Sequence, residues 1–542
     1  MASAHREDRS RRGGARRFRP IAVGGALGLV LALAASASVA ARAGDWPTYR
    51  HDIARSGVTS EEVRPPLREC WVFQPAHAPE PAWGRPSPRP VGGWYGATEL
   101  PRAHFDDAFH VAVAGGTVYF GSSADGKVYA LDAATGKERW SARTGGPVRL
   151  APAVWRDKVY VGSDDGCVYC LRASDGKQQW RFRAALDERK LLGSGKMISR
   201  WPIRTGVLVD DGVAYFGGGI FPAEGVAMYA VGAEDGKLIW RNDTCGTAPQ
   251  SRISPQGYLL ASADRLFAPL ARVSPAAFDR RDGRLLYEAY IEHIIGGAQA
   301  TLSGSQLFTG TEELIGYDEA SHRSQSAWFW GHRLVVTPEM FYVATGRELF
   351  AVNRATYGAA SLRRKRLLDR KRPLTGDLRA ALQGPESRRR ELQAELDTLN
   401  EQLGQAEQEM ASGELWRVAC DCAESLVLAG NAVFAGGEGS VVAFDAASGD
   451  SPWSAKVGGK ARGLAIAESR LFVSSDTGAI HCFGPEGAQA VGPVAQKTVA
   501  SPFPPDQLTP VFEAAAERIV RETGIKRGYC LLLGCGTGRL AL

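Results

Sequence analysis

The stretch Ala130-Leu131-Asp132-Ala133-Ala134-Thr135-Gly136-Lys137-Glu138-Arg139-Trp140 reads as the end of one β-strand, a tight turn, and a second strand carrying a tryptophan. Thr-Gly supplies the turn, and the apolar-polar alternation on either side is the period of a strand. Two more strands lie upstream, Val118-Tyr119-Phe120-Gly121 and Gly126 to Asp132. The pattern then returns as Val159-Tyr160-Val161-Gly162, Gly166 to Leu171, and Asp175-Gly176-Lys177-Gln178-Gln179-Trp180. Trp140 and Trp180 stand 40 residues apart, and self-similarity at such a period marks a repeat architecture.

Further copies follow. Val213 to Gly217 goes with Gly236 to Trp240, and Asp282 to Tyr287 puts tyrosine in the tryptophan place. Leu307 to Gly310 goes with Trp328, and Met340 to Val343 with Leu349 to Val352. Ala432 to Gly436 goes with Trp453, and Leu471 to Ser474 with Ile480 to Phe483. A four-stranded sheet cannot cover both faces alone, whereas radial stacking of such sheets can. Trp71, Trp140, Trp180, Trp240, Trp416 and Trp453 are therefore read as structural residues that pack each sheet on its neighbour.

Ala130 to Trp140 resembles the tryptophan-docking motif of propellers of the pyrroloquinoline-quinone (PQQ) type. Asp45-Trp46-Pro47-Thr48-Tyr49-Arg50-His51-Asp52 is similar to the start of many such proteins. The resemblance spans residues 44–486 and implies an all-β, eight-bladed propeller. Its family includes both quinoprotein dehydrogenases and non-enzymatic outer-membrane assembly factors, so it speaks to fold more than to activity.

Seven fourth strands but eight third strands can be counted, and the missing strand is found in Leu67 to Phe73, which carries Trp71. This N-terminal strand is expected to complete the last blade and remove the open edges. A four-residue turn aligned on Ala130 to Arg139 pairs Tyr129 with Trp140 and sets Cys70 directly opposite Cys482. They then form either a disulfide or two adjacent buried thiols. The cysteine count is nine, so the chain cannot be fully paired within itself. Cys167 and Cys170 point to opposite faces, and no second half-site accompanies Cys420-Asp421-Cys422, so no metal site is expected.

Residues 358–415 interrupt the sixth copy. Leu392, Leu396, Leu399 and Leu403 form a helical stripe continued by Ala406 and Met410, with Pro385 before it and Gly413 after. A projecting helical hairpin is expected, of coiled-coil type, its seam packed on its own partner helix or docking another protein. Residues 181–205, with Arg200, Trp201, Pro202 and Arg204, form a second excursion, either a rim binding face or a lid.

Residues 1–43 read as a signal peptide or uncleaved signal anchor: seven arginines before Pro20, an apolar run from Ile21 to Ala40, then Ala41-Arg42-Ala43. The body is expected to be exported, periplasmic or membrane-anchored facing outside. The formal net charge of +6 resides largely in this segment, which argues against nucleic-acid partners. Partners are expected to be proteins, met through rim loops or the helical insert, with a membrane met only through the anchor.

Residues 487–508 read as a linker. From 509 a helix capped by Thr509, a strand from Tyr529 to Leu533, and Gly534-Cys535-Gly536-Thr537-Gly538 follow. This resembles the opening of a class I S-adenosylmethionine-dependent methyltransferase, which implies cofactor contacts at Gly534, Gly536 and Gly538. The acidic residue that would grip the ribose does not occur before Leu542, so 509–542 is expected to be the truncated start of such a domain.

The leading functional expectation is a non-catalytic extracytoplasmic scaffold, protein-binding or ligand-sensing, with no cofactor and no catalytic residue. The alternatives are the front half of a propeller–methyltransferase fusion using S-adenosylmethionine, and a PQQ-dependent dehydrogenase. The last is disfavoured by the absence of an adjacent cysteine pair, of a recognisable Ca²⁺ carboxylate set and of long enclosing loops.

Overall fold

The computed structural model describes residues 44–83, 105–244, 253–270, 274–288, 300–310, 313–321, 325–496, 503–525, 532–534, 536 and 538–541. Residues 1–43, and with them the expected signal, lie outside the described set. No described helix is long and apolar enough to cross a membrane.

The body is a succession of small antiparallel sheets of propeller type. Six stand apart as four-stranded meanders. The first comprises Val111–Ala114, Thr117–Gly121, Lys127–Asp132 and Glu138–Arg143, and the second Ala153–Trp155, Lys158–Gly162, Cys167–Arg172 and Gln178–Arg183. The third to sixth begin at Leu208, Leu260, Ala300 and Arg333. Two further meanders share one long strand, Trp453–Ala467. It ends the run Ser425–Ala429, Ala432–Gly436 and Glu438–Asp445, then starts the run Arg470–Ser475, Ile480–Pro485 and Leu67–Gln74. The second and third strands are buried on both faces, as sheets packed between neighbours require: every residue of Thr117–Gly121 is buried.

The tryptophans make the junctions. Each indole N–H donates to a carbonyl in the turn of the following meander: Trp140 to Ala173 at 2.9 Å, Trp180 to Ala233 at 2.9 Å, Trp240 to Arg280 at 2.9 Å and Trp416 to Ala446 at 3.0 Å. Each ring also lies on a glycine of that turn. A Cβ on Gly176 would stand 2.5 Å from Trp140, and one on Gly449 2.7 Å from Trp416. These glycines have positive φ, so one residue type answers both the turn and the close approach. Trp328 departs from the pattern because the next meander carries a helical insert where the docking turn would be; Arg364 of that insert covers its ring instead. Tyr287 substitutes its hydroxyl, donating to Glu319 O at 2.7 Å.

Trp71 and Trp453 use the same contact at the closure. Trp71 donates to Ala133 O at 3.1 Å, and Trp453 to Leu67 O at 2.8 Å. Leu67–Gln74 runs antiparallel to Ile480–Pro485, joining the start of the body to its end. The expected register is off by one. A bulge lets Ala130 face Trp140 and Leu131 face Glu138, with Arg139 unpaired, where the turn-based alignment set Ala130 against Arg139. The same bulge places Trp71, not Cys70, opposite Cys482. Bulges add one residue to one strand, which a gap-free turn alignment cannot show.

The insert is longer at its root than 358–415 suggests. Helix α1 spans Arg354–Ala380, capped by the Asn353 side chain, helix α2 spans Glu386–Ser412, and the next strand starts at Glu414. Leu392, Leu399, Leu403 and Ala406 pack on Leu367 and Leu374, so the seam is filled by the partner helix. At the root, Tyr357 stacks on Phe329 with centroids 4.4 Å apart. Cys167 and Cys170 fall in different cores, as their spacing requires.

Helix α3 spans Thr509–Thr523 and ends on the left-handed Gly524. Thr509 is its first turn rather than its cap: the Asp506 carboxylate accepts from Leu508 N at 2.9 Å and Thr509 N at 3.1 Å. Leu533 lies in an exposed turn, not in the expected strand, most of which falls outside the described residues. Gly534, Gly536 and Gly538 have positive φ, and a Cβ on any of them would meet nothing within 4 Å.

Candidate functional site

The first strands of successive meanders adjoin one another around a common centre: Val111–Ala114 touches Ala153–Trp155 and Trp453–Ala467, and Arg333–Val336 touches Ser425–Ala429. Two sets of residues occupy this centre. The segment Trp46 to Thr59 bonds to the far ends of the first strands, through Trp46 with Val113, Pro47 O with Val154 N, Ile53 O with Ala261 N, Ala54 O with Leu302 N and Gly57 O with Leu428 N. The near ends of the same strands, and the residues just before them, are polar. They include Asp106, Asp107, His110, Arg149, Arg204, Gln256, Arg333, Glu424 and Arg462, and these form the candidate site.

One part of it is a fully buried ion cluster. Arg149 Nε donates to Asp164 Oδ2 at 2.6 Å, and its Nη1 to Asp106 Oδ2 at 3.0 Å and Glu80 O at 2.6 Å. Arg204 donates to both Asp164 oxygens, at 2.7 and 3.1 Å. Burial raises the Asp106 carboxyl against the opposing pull of Arg149. Burying four charges is tolerable only because each is paired. Arg149 Nη2 nevertheless has no hydrogen-bond partner among the described residues.

The second part is more open. Arg462 Nε lies 3.0 Å from Asp107 Oδ2, out of line for a hydrogen bond, while its Nη1 meets Glu424. Lys460 Nζ stands 3.4 Å from Glu424. The Arg462, Asp107 and Glu424 side chains are 22%, 14% and 19% exposed, so solutes reach them. Beneath them sits His110, whose ring packs on Gly463: a Cβ there would stand 2.6 Å from Nδ1. Burial lowers His110 to about 4, with Asp107 opposing and Arg462 and Arg333 adding, so the imidazole is neutral at pH 7.

Aromatic rings form the floor. Tyr49 stacks on Tyr258 at 3.6 Å and 8°, and meets His110 edge-on at 5.2 Å. Burial raises both phenols. Trp83 donates to Gln256 Oε1 at 2.8 Å. A cavity of about 40 Å³ lies beside Arg50, Thr301, His332 and Arg333, room for a water or two. Among the described residues no three His, Cys, Asp or Glu side chains converge as a metal site.

A family model described as outer membrane protein assembly factor BamB matches residues 93–206 and 276–491, more than half of the sequence. The chain belongs to this family. No curated protein sequence matches it. Among solved structures, the BamB-family chain is similar to the quinohemoprotein alcohol dehydrogenase of Comamonas testosteroni, at 14% identity and a TM-score of 0.54 over 89% of this chain and 86% of that one. It is also similar to quinohemoprotein alcohol dehydrogenase ADHIIG of Pseudomonas putida HK5, at 13% identity and a TM-score of 0.51 over 90% and 86%. At such identities the likeness is one of fold.

These findings correct the expectation of a non-catalytic scaffold. Solved chains that share this fold over most of their length are enzymes, so nothing in the architecture withholds catalysis. The expectation that PQQ is disfavoured is weakened for the same reason. The methyltransferase resemblance gains no support: the family match ends at residue 491.

The six structural tryptophans lie at the junctions and none lines the candidate site. Of the residues singled out in the sequence, Arg204 alone belongs to the charge cluster. Trp201 instead donates to Glu224 O at 2.7 Å, and Arg200 pairs with Glu224 at 3.2 Å. The missed residues share one signal: His110, Arg149, Arg333, Glu424 and Arg462 are charged or titratable positions at or just before an apolar first strand.

Proposed function

We propose that the chain is a PQQ-type oxidoreductase propeller that binds a planar, carboxylate-bearing quinone, PQQ first among candidates, at the polar end of its centre. The supporting observation is His110: a neutral imidazole held between the stacked tyrosines and Gly463, under the accessible Arg462, Asp107 and Glu424. The donor set fits such a ligand, because Arg462 and Lys460 are accessible cations and Arg149 Nη2 is a buried N–H lacking an acceptor among the described residues. The quinone, when bound, accepts two electrons from an alcohol-type substrate. Arg462 and Lys460 orient its carboxylates, the tyrosine floor excludes water, and the His110 imidazole takes the proton released by the substrate hydroxyl. No metal ligand is assigned.

In the same reading the six separate sheets and the two runs sharing Trp453–Ala467 make eight blades, closed by Leu67–Gln74. The body is exported, and protein partners meet the rim loops or the hairpin of α1 and α2.

Titration of the full chain with PQQ, followed by quenching of tryptophan fluorescence, tests the reading. One equivalent is expected to bind. Arg462→Ala is expected to weaken binding at least tenfold. His110→Ala is expected to keep binding and lose dye reduction with alcohols. Absence of PQQ binding by the wild-type chain overturns the reading.

A further inference from the structure

The closure of the body rests on one strand pair whose partners are more than 400 residues apart in sequence. Leu67–Gln74 lies against Ile480–Pro485, with Glu69 opposite Phe483 and Trp71 opposite Cys482. Cys70 falls in the bulge between them. In a bulge two residues of one strand oppose a single partner residue, which brings Cys70 as well as Trp71 onto Cys482. The burial pattern agrees: Cys70 and Trp71 are both inward and buried, though consecutive in the strand. Gly484 leaves the space that Cys70 needs, since a Cβ there would stand 2.9 Å from its Sγ.

We infer that Cys70 and Cys482 form a disulfide that staples the closing strands. Both thiols are buried on the same strand pair, and both are free in this structure. Cys70 is the attacking partner. The neighbouring Cys482 side chain, with Arg470 adding to it against burial, lowers the Cys70 thiol to about 6, which favours its thiolate as the nucleophile. The oxidant is a low-molecular-weight disulfide such as oxidised glutathione. The Cys70 thiolate attacks one of its sulfurs, breaks that S–S bond and expels one thiolate. Cys482, giving its proton to solvent, then attacks the mixed disulfide at Cys70 Sγ and expels the second. Two protein thiols are oxidised and one external disulfide is reduced to two thiols, so atoms and electrons balance. Both sulfurs are buried in the folded body, which places the reaction at the stage when the strands pair. No other described pair could hold this closure: Cys167 and Cys170 face different cores, and Cys420 and Cys422 lie two residues apart in one loop.

The test is refolding of the full chain in a mixture of reduced and oxidised glutathione, followed by alkylation, digestion and mass spectrometry without reductant. A peptide containing Cys70 joined to one containing Cys482, lighter by two hydrogens than the reduced pair, is expected. A loop of about 410 residues constrains the unfolded chain strongly, and reduction is expected to lower the Tm by about 5 °C. Cys482→Ala should abolish that difference; the comparison of oxidised and reduced wild type stands without the variant. Alkylated, unlinked Cys70 and Cys482 overturn the inference, whatever Cys420 and Cys422 do. So does a cross-link that leaves the Tm unchanged on reduction, because the bond would then not bear on closure.

Discussion

Gly136→Ala measures what the tryptophan–glycine junction contributes. Gly136 has φ +68°, and a Cβ on it would stand 2.6 Å from both Cδ2 and Cε3 of Trp71. Gly304 is the matched control: φ +61°, with nothing within 4 Å of its Cβ position. Both substitutions place alanine in the left-handed region, at about 1–2 kcal/mol. Both recover about 0.4–1 kcal/mol by restricting the unfolded chain. Gly304→Ala should therefore cost about 1 kcal/mol.

Gly136→Ala adds a packing conflict. Ordinary contact needs about 3.4 Å or more, so the indole must retreat by most of an ångström from a site where it is wholly buried and donates to Ala133 O at 3.1 Å. Overpacking of this kind costs about 1–3 kcal/mol. The expected total is about 3 kcal/mol, three times the control. Urea denaturation followed by tryptophan fluorescence reads both variants against wild type, with the midpoint shifting at unchanged slope. Equal losses for the two variants would refute the reasoning, since the left-handed backbone would then account for everything and the ring contact for nothing.

The buried neutral His110 gives a pH signature. Its folded value of about 4 lies below the ordinary 6.5 of an unfolded histidine, so its contribution to stability is complete above about pH 6.5 and is lost as pH falls towards 4. Wild type should lose Tm faster than His110→Gln between pH 7 and 4.5; parallel curves would contradict this. Replacing residues 366–406 by a short Gly-containing turn should move the Tm by less than about 2 °C, because it removes both halves of the seam together and leaves none of its buried residues half-covered. Removing 358–415 should destabilise far more. That cut takes the buried Ala360 and Ser361 of the root and Glu414, which pairs with Val352. Equal Tm values for the two deletions would show that the root contributes nothing.

The repeat was legible because it is periodic and apolar. Trp140 and Trp180 announce their junctions by spacing, and the Gly-containing turns announce where they dock. The one-residue bulge at Arg139 and at Cys70 was not legible, because a bulge adds backbone without changing composition. The insert was found from its leucine stripe, yet Arg354 to Tyr357 were missed at its root. Arg354 continues directly from the strand Glu348–Asn353, so no turn residue separates strand from helix. The candidate site was least legible. His110, Arg333 and Arg462 come from three different copies and meet only when the first strands are brought round one centre. Sequence spacing carries no sign of that meeting. The docking tryptophans drew attention because they repeat, and the site does not repeat.

The segment from Trp46 to Thr59 explains how a ring of small sheets tolerates a charged centre. Arg50 donates to Leu334 O at 2.9 Å and Leu426 O at 3.2 Å, and Arg55 to Leu259 O at 2.7 Å, so two guanidiniums reach the backbones of three different meanders. The remaining donors turn back on the segment itself: Arg55 to Tyr49 O at 3.1 Å and Asp52 O at 3.1 Å, Arg50 to Ser56 O at 3.1 Å. Burial lowers Arg55 to about 10, which still leaves it charged at neutral pH. A charged guanidinium surrounded by carbonyls is satisfied without a carboxylate, which spares Asp107 and Glu424 for Arg462. The same segment carries Tyr49, whose ring is stacked on Tyr258 and set edge-on to His110. The strap that ties the meanders together is thus also the floor of the site. A loss of the Arg55 clamp would loosen the sheets and the His110 environment at once, whereas the loss of a junction tryptophan would weaken the fold and leave that floor in place.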